Sequence, residues 1–406
     1  MQKVAVISKI ALIIFLYYLT YYIFIGLKNP IPVPGDSFDY HIPISLSILN
    51  GDFVTLAKQN QTYNFQGQSI TFQSFPQWYY PGSSEAINSV FILLGIPLTL
   101  SNIFASIVLL ITLFKLGQVF KLDREYSLLF SLSFLTLNGV VRWFNSVSID
   151  FWVVTWFAWA IILLEKPQKT ISYFLKIGFV LGMLIGSKFV AIYPFGILFV
   201  FYIKDLIKVL NFKRVIALVI PLSLGIFWYV RNWALTGNPF YPVKIFGFVG
   251  PFDSSERVFT QIMNYPLYML NAAYGEYHLW IFSLLLALVY LIYRIYKKNF
   301  TLDSVNKVFL IGLLNLLFFL NFPSSDQPWI MVSSLRYSLP GFVCLMLGVF
   351  ILFKRWGKEE YLGYFAIANM ISVLSMAYYP KLLVISLPIT FLIFYLMGDL
   401  KSEGKK

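Results

Sequence analysis

Two carboxylates three residues apart are the first place in this chain where chemistry can be read. Asp36 and Asp39 stand in NPIPVPGDSFDYHIPISLSILNG (29–51), beside Tyr40 and His41 and after Pro30, Pro32 and Pro34. Proline fixes φ near about −65° and biases the preceding residue toward extended geometry, so the segment leaves as a stiff arm instead of a continued helix. A carboxylate held there can take a proton from a hydroxyl, and either Asp can equally cap the helix that DSFDYH begins. Asp36 is the candidate base. Asp150 (in SID), Lys188 (in GSKF) and Arg336 (in LRYSLP) lie at the ends of apolar runs. An ionisable group there meets a partner or snorkels to lipid headgroups, and such cations can grip a phosphate. Arg231 opens RNWALTGNPFYP and is a third phosphate candidate, although Gly237-Asn238-Pro239 reads as a turn and leaves a structural role open. Asp39, His41, Tyr80 and Glu85 are candidates for holding a sugar or an acceptor, with Glu85 as readily the start of a short helix. A divalent ion, if one is used, would take Asp36 and Asp150 as ligands, with His41 a weaker addition.

The elements that must position these residues are membrane helices. The 406 residues are 59% hydrophobic and 12% charged, a balance that a water-soluble domain of this size could carry only with a very large exposed apolar surface. The fold class read here is an all-α polytopic membrane protein forming one transmembrane domain over 1–406, with no soluble C-terminal domain. Scanning for apolar runs of about 17 to 25 residues predicts twelve helices, near 4–25, 97–118, 124–142, 147–165, 172–187, 189–208, 213–231, 278–296, 305–322, 337–354, 360–378 and 381–398. The first is read as a retained helix, because it is long, rich in Tyr and Phe and lacks a small-residue cleavage site. With the N-terminus cytoplasmic, 22 of the 31 basic residues fall inside, while the 18 acidic residues split evenly. The +13 excess is thus membrane topology and contact with anionic lipid, with both termini cytoplasmic and no support for a nucleic-acid partner. The lone Cys344 excludes an intrachain disulfide.

Two large outer loops follow from this arrangement. Residues 26–96 hold Asp36, an apolar stripe (Ile42, Leu46, Leu49, Phe53) expected to lie in the interface plane, a polar loop over 58–77, and the aromatic cluster Trp78, Tyr79, Tyr80 before a short helix. Residues 231–277 hold further charges, among them Glu276, and Arg142 and Asp150 flank NSVSI on the same side. No nucleotide-binding Gly-rich loop, zinc spacing or GxSxG elbow occurs. A transferase on that side has no nucleotide to draw on, so its activated substrate must come on a lipid carrier.

The ordered set DSFDYHIP, YPGSSE (Tyr80 to Glu85), SIDFW, GSK, RNWALTGNPFYP and LRYSLP resembles the GT-C glycosyltransferases, in particular the branch with the dolichyl-phosphate-mannose protein mannosyltransferases and the lipid A aminoarabinose transferase. The resemblance covers residues 1 to about 345. It implies an integral enzyme of the plasma or inner membrane of the cell envelope. Such an enzyme moves a sugar from a polyprenyl-phosphate donor to a lipid, polysaccharide or protein acceptor on the non-cytoplasmic side. The chain has Asp36-Ser37 where the family commonly has Asp-Glu. On this reading Asp36 deprotonates the acceptor, with inversion at the sugar, and Lys188 and Arg336 neutralise the leaving phosphate. An O-antigen-type polymerase or ligase, or a lipid-linked-oligosaccharide flippase, is the alternative. A flippase would show two similar halves with broken helices at the midplane, and none is evident; the polymerases keep their large loop late, whereas here the first loop is longest.

Overall fold

The computed structural model describes residues 2–30, 32, 36–54, 62–65, 68–71, 76–166, 170–244, 247–251, 257–322 and 334–378. It is a helical bundle. Helix α1 (Gln2–Lys28) is one uninterrupted apolar rod. The first loop follows with a π-turn (Ser37–His41), α2 (Ile42–Asn50), strands β1 (Thr62–Phe65) and β2 (Gln68–Thr71), and α3 (Glu85–Leu93). Then come α4 (Ser101–Val119), α5 (Arg124–Leu135), the single turn α6 (Asn138–Val141), α7 (Asp150–Leu164), α8 (Ile171–Ser187), α9 (Ile192–Ile207) and α10 (Phe212–Thr236). The second loop folds into α11 (Val258–Asn264) and α12 (Pro266–Tyr277), and α13 (Phe282–Tyr296), α14 (Ser304–Leu320), α15 (Leu339–Arg355) and α16 (Glu359–Tyr378) complete the described chain.

Helix occupies the first eleven expected segments, the third of them broken between α5 and α6; the twelfth, 381–398, lies outside the described residues. Six helical stretches are long and apolar enough to cross a membrane, and α7, α8 and α14 are shorter apolar helices. The first loop departs from expectation in two ways. The polar stretch expected as plain loop contains an antiparallel hairpin, with Thr62 opposite Thr71 and Phe65 opposite Gln68. And α2 is buried on more than one stripe: Ile42, Pro43, Ile44, Ser45, Leu46 and Ser47 are all buried, because α2 packs against α3 within the loop's own small core.

Two features of the bundle position the site. Helices α7 and α15 are apolar on every face and buried nearly throughout, as such helices must be. They are in contact, and each begins at the same end of the bundle. Helix α8 lies directly on α10 through Gly178, Gly182 and Gly186, a one-per-turn stripe facing Leu218, Pro221, Leu222 and Gly225. A Cβ at Gly178 would stand 2.2 Å from the Leu218 carbonyl oxygen, so only glycine permits this approach. That contact fixes the end of α8, where Lys188 follows.

Candidate active site

Four of the expected charges converge. Asp150 is the first residue of α7, where the helix dipole favours a carboxylate. Its Oδ1 accepts from Lys188 Nζ at 3.0 Å. Its Oδ2 lies 3.2 Å from Arg336 Nε and accepts from the Ser148 hydroxyl. Arg336, in the 3-10 turn Leu335–Ser338 that leads into α15, also donates from Nη2 to Asp36 Oδ2. One guanidinium therefore bridges carboxylates more than a hundred residues apart in the chain. Arg336 and Asp150 are almost wholly enclosed, whereas the Asp36 side chain is 44% exposed and forms the open edge of the cluster. Burial alone would raise the Asp36 carboxyl. Arg336 beside it, with His41 and Lys188 further off, holds it below its ordinary value, so it is ionised at neutral pH.

Local structure explains each placement. Asp36 is the residue before the π-turn, a helix variant found disproportionately at functional sites. At Lys188 the chain goes extended (φ −161°, ψ 146°) between α8 and the 3-10 turn Phe189–Ala191, which turns the ammonium out of the helix line. Aromatic rings line the cations: Lys188 Nζ is 4.3 Å from the Tyr337 ring, and the Arg336 guanidinium is 4.5 Å from Trp143 and 5.4 Å from Tyr337. The separate motifs also dock on one another. Ser83 N donates to Gly186 O at 2.7 Å, the Ser84 and Ser187 hydroxyls are 2.5 Å apart, and Tyr80 packs edge-on between Tyr40 and Phe189.

Two solved structures share this architecture. ArnT from Cupriavidus metallidurans bound to undecaprenyl phosphate superposes with a TM-score of 0.55 at 14% identity, covering 93% of this chain and 73% of that one. The same protein in its apo state gives 0.50 at 14% identity, over 92% and 73%. No protein-family model and no curated protein sequence matches the chain. The chain has the ArnT fold.

Within that ArnT-like bundle the other expected residues are placed differently. Arg231 is turned to the scaffold: it donates to the backbone carbonyls of Trp78 and Phe53, each at 3.3 Å, and to Asn232 Oδ1. Asn232 in turn donates to Tyr79 O and Tyr241 O, so the RN pair clamps the aromatic cluster to α10. Glu85 starts α3, and its Oε1 lies 3.0 Å from His41 Nδ1 with both side chains sealed from solvent. Neither side chain reaches the open edge of the cluster. Asp39 is exposed beside Asp36, and burial together with that neighbouring carboxylate raises its pKa. Tyr80 is half-buried between the rings that join Asp36's turn to Lys188's. As for a metal, no three His, Cys, Asp or Glu side chains among the described residues are grouped to hold one, and a guanidinium bridges the two Asp that were its expected ligands. Among the described residues these side chains do not fit a metal centre.

One pair escaped sequence reasoning. Arg142, at the end of α6, meets Glu276, at the end of α12, at 2.9 Å, and its guanidinium lies 4.9 Å from the same Trp143 ring that Arg336 covers. Glu276 is buried, and its second oxygen rests against Gly139, where any Cβ would meet it. Both charges were visible in the sequence at helix ends. Nothing in the sequence links Arg142 to Glu276, although an aromatic residue immediately follows both arginines that cover the Trp143 ring: Trp143 after Arg142 and Tyr337 after Arg336.

Proposed function

We propose that the chain is an inverting membrane glycosyltransferase that moves a sugar from a polyprenyl-phosphate donor to an acceptor hydroxyl. The observation that carries this reading is the convergence of Asp36, Asp150, Lys188 and Arg336 at one end of an ArnT-like bundle. The likeness to a protein whose structure holds undecaprenyl phosphate supports the class of donor. The excess of basic residues at the opposite end supports placing the site on the non-cytoplasmic side, with both termini in the cytoplasm.

Transfer needs a base for the acceptor, cations for the departing phosphate and shelter from water. Asp36, ionised at the open edge, takes the acceptor's proton as that oxygen attacks the anomeric carbon. The carbon–oxygen bond to phosphate breaks on the opposite face, and the polyprenyl phosphate leaves with the bonding pair. Base and leaving group on opposite faces mean a single displacement and inversion. Arg336 Nη1, buried and without a hydrogen-bond partner among the described residues, is the donor left for a phosphate oxygen, and Lys188 adds the second charge. Asp150 orients both cations and keeps their charge from being buried alone. The acceptor is a lipid, a polysaccharide or a protein.

The test is to incubate membranes carrying the full chain with labelled polyprenyl-phosphate sugars, and to compare Asp36→Asn at equal membrane insertion. Label should move to a new product in the wild type and not in the variant. A properly inserted Asp36→Asn protein with full transfer would remove Asp36 as the base.

A further inference from the structure

The His41–Glu85 pair has no task in the scheme above, yet it is among the most enclosed polar contacts in the molecule. The His41 side chain is 0% exposed and that of Glu85 1%. His41 Nδ1 meets Glu85 Oε1 at 3.0 Å, while His41 Nε2 and Glu85 Oε2 have no hydrogen-bond partner among the described residues. Burying such groups, each half-satisfied, is unfavourable unless the contact does something besides fill space. Its position says what. His41 closes the π-turn Ser37–His41, and Asp36 is the residue that opens it. Glu85 begins α3, which is itself bolted to α2: Ser45 Oγ donates to Glu85 O at 3.3 Å and Ser89 Oγ to Ser45 O at 2.8 Å, while Ser45 Oγ also lies 2.7 Å from His41 O at the end of the turn. The turn therefore has one fixed end, at His41, and one end at the open edge, at Asp36. Glu85 belongs to the same YPGSSE segment whose Ser83 and Ser84 hold the end of α8 just before Lys188. One short segment thus ties down both the carboxylate side and the ammonium side of the cluster.

We propose that His41 and Glu85 are a positioning pair: they pin the π-turn to α3 so that Asp36 stands against Arg336, and they touch neither donor nor acceptor. This replaces the sugar-contact role expected of both residues, and it rests on the reading of Asp36 as the base.

The measurement follows Asp36 directly. A water-soluble carbodiimide with glycine ethyl ester modifies carboxyls in the full-length, detergent-solubilised protein, and mass spectrometry reads the rate at Asp36. Paired to Arg336, Asp36 should react slowly in the wild type. Glu85→Ala should raise the Asp36 rate several-fold, whereas Glu85→Gln, whose amide oxygen still accepts from His41, should restore it to near the wild-type value. Because Glu85→Ala leaves His41 buried alone and is a risk to folding, the double variant His41→Leu/Glu85→Met supplies an apolar pair of similar bulk; its thermal midpoint should match the wild type while Asp36 still reacts several-fold faster. A merely structural pair predicts the reverse, with the apolar double variant keeping Asp36 slow. Wild-type Asp36 reactivity in the folded double variant, or in Glu85→Ala, overturns the proposal. Asp36→Asn in the transfer assay reports separately on the base, so a failure of one reading is not mistaken for a failure of the other.

Discussion

The two ends of the bundle handle charge in opposite ways. At one end, where α1, α5, α14 and α16 begin and α7 and α15 finish, ion pairs are local and one-to-one. Lys354 meets Asp123 at 2.8 Å, Arg355 meets Asp303 at 2.8 Å and Lys307 meets Glu165 at 2.6 Å, all with partly exposed side chains. Pairs of this kind are worth about 0 to 1 kcal/mol each. At the other end Arg336, Asp150 and Lys188 are enclosed and shared: one guanidinium serves two carboxylates, and one carboxylate serves two cations. Enclosing each such ion costs several kcal/mol of desolvation, and well-packed apolar side chains are often no less stable in such a place. The first end reads as trim on a membrane protein's surface. The second keeps charges where stability does not ask for them, and local rules are broken in this way chiefly at functional sites.

The largest effect should come from removing the shared cation. Arg336→Met leaves Asp36 and Asp150 facing each other without their bridge, and the protein should lose about 3–5 kcal/mol of stability, read as a fall in thermal midpoint in detergent, along with all transfer. Arg336→Lys restores the charge but cannot present two nitrogens to two carboxylates at once, so stability should return further than activity. An Arg336→Met protein as stable as the wild type would mean that the two ends do not differ as argued.

Next in size is Asp36→Asn. The side chain is 44% exposed, so the fold should survive, while transfer should fall by about 10²- to 10⁴-fold, the usual contribution of a general base. The pH dependence has a definite sign. Burial raises the Asp36 carboxyl, but Arg336 and then His41 and Lys188 outweigh it and leave it below its ordinary value. A depressed folded value means the Asp36–Arg336 contact contributes fully above the unfolded carboxylate pKa and is lost as pH falls through the folded one. The acid limb of the rate profile should therefore lie below the ordinary carboxylate range, and Lys188→Gln should move it upward.

How much of this was legible in the sequence depends on the range of the signal. Helices announce themselves through runs of apolar residues, which is a local property, and eleven expected segments hold helix. Asp150, Lys188 and Arg336 were legible because charge at the edge of an apolar run is conspicuous. Their pairing was only inferred from shared placement at one end. For Arg231 a structural role was already one of two readings, but nothing local says that its donors go to Trp78 O and Phe53 O, more than 150 residues earlier. His41 and Glu85 were expected at the sugar because polar residues near a candidate base suggest contact, and only the packing of α2 on α3 shows that they face each other. The β1–β2 hairpin escaped because its strands are four residues long and rich in Gln, Asn, Ser and Thr, so that the alternation of Tyr63 and Phe65, both buried, is too short to stand out.

The smallest effect sharpens the comparison from the other side. A double-mutant cycle on Lys354 and Asp123 should give a coupling of about 0.2–1 kcal/mol, and 0.5 M salt should erase most of it, since the pair is exposed and the screening length is then only about 4–5 Å. The matching cycle on Lys188 and Asp150 should give a coupling larger than this and nearly indifferent to salt, because both side chains are more than nine-tenths buried. Transfer should be unchanged throughout the first cycle and strongly reduced in every variant of the second. The contrast in salt response is the discriminating readout, because a shared loss of activity could follow from misfolding, whereas a salt-insensitive coupling in a folded protein follows only from burial of the pair.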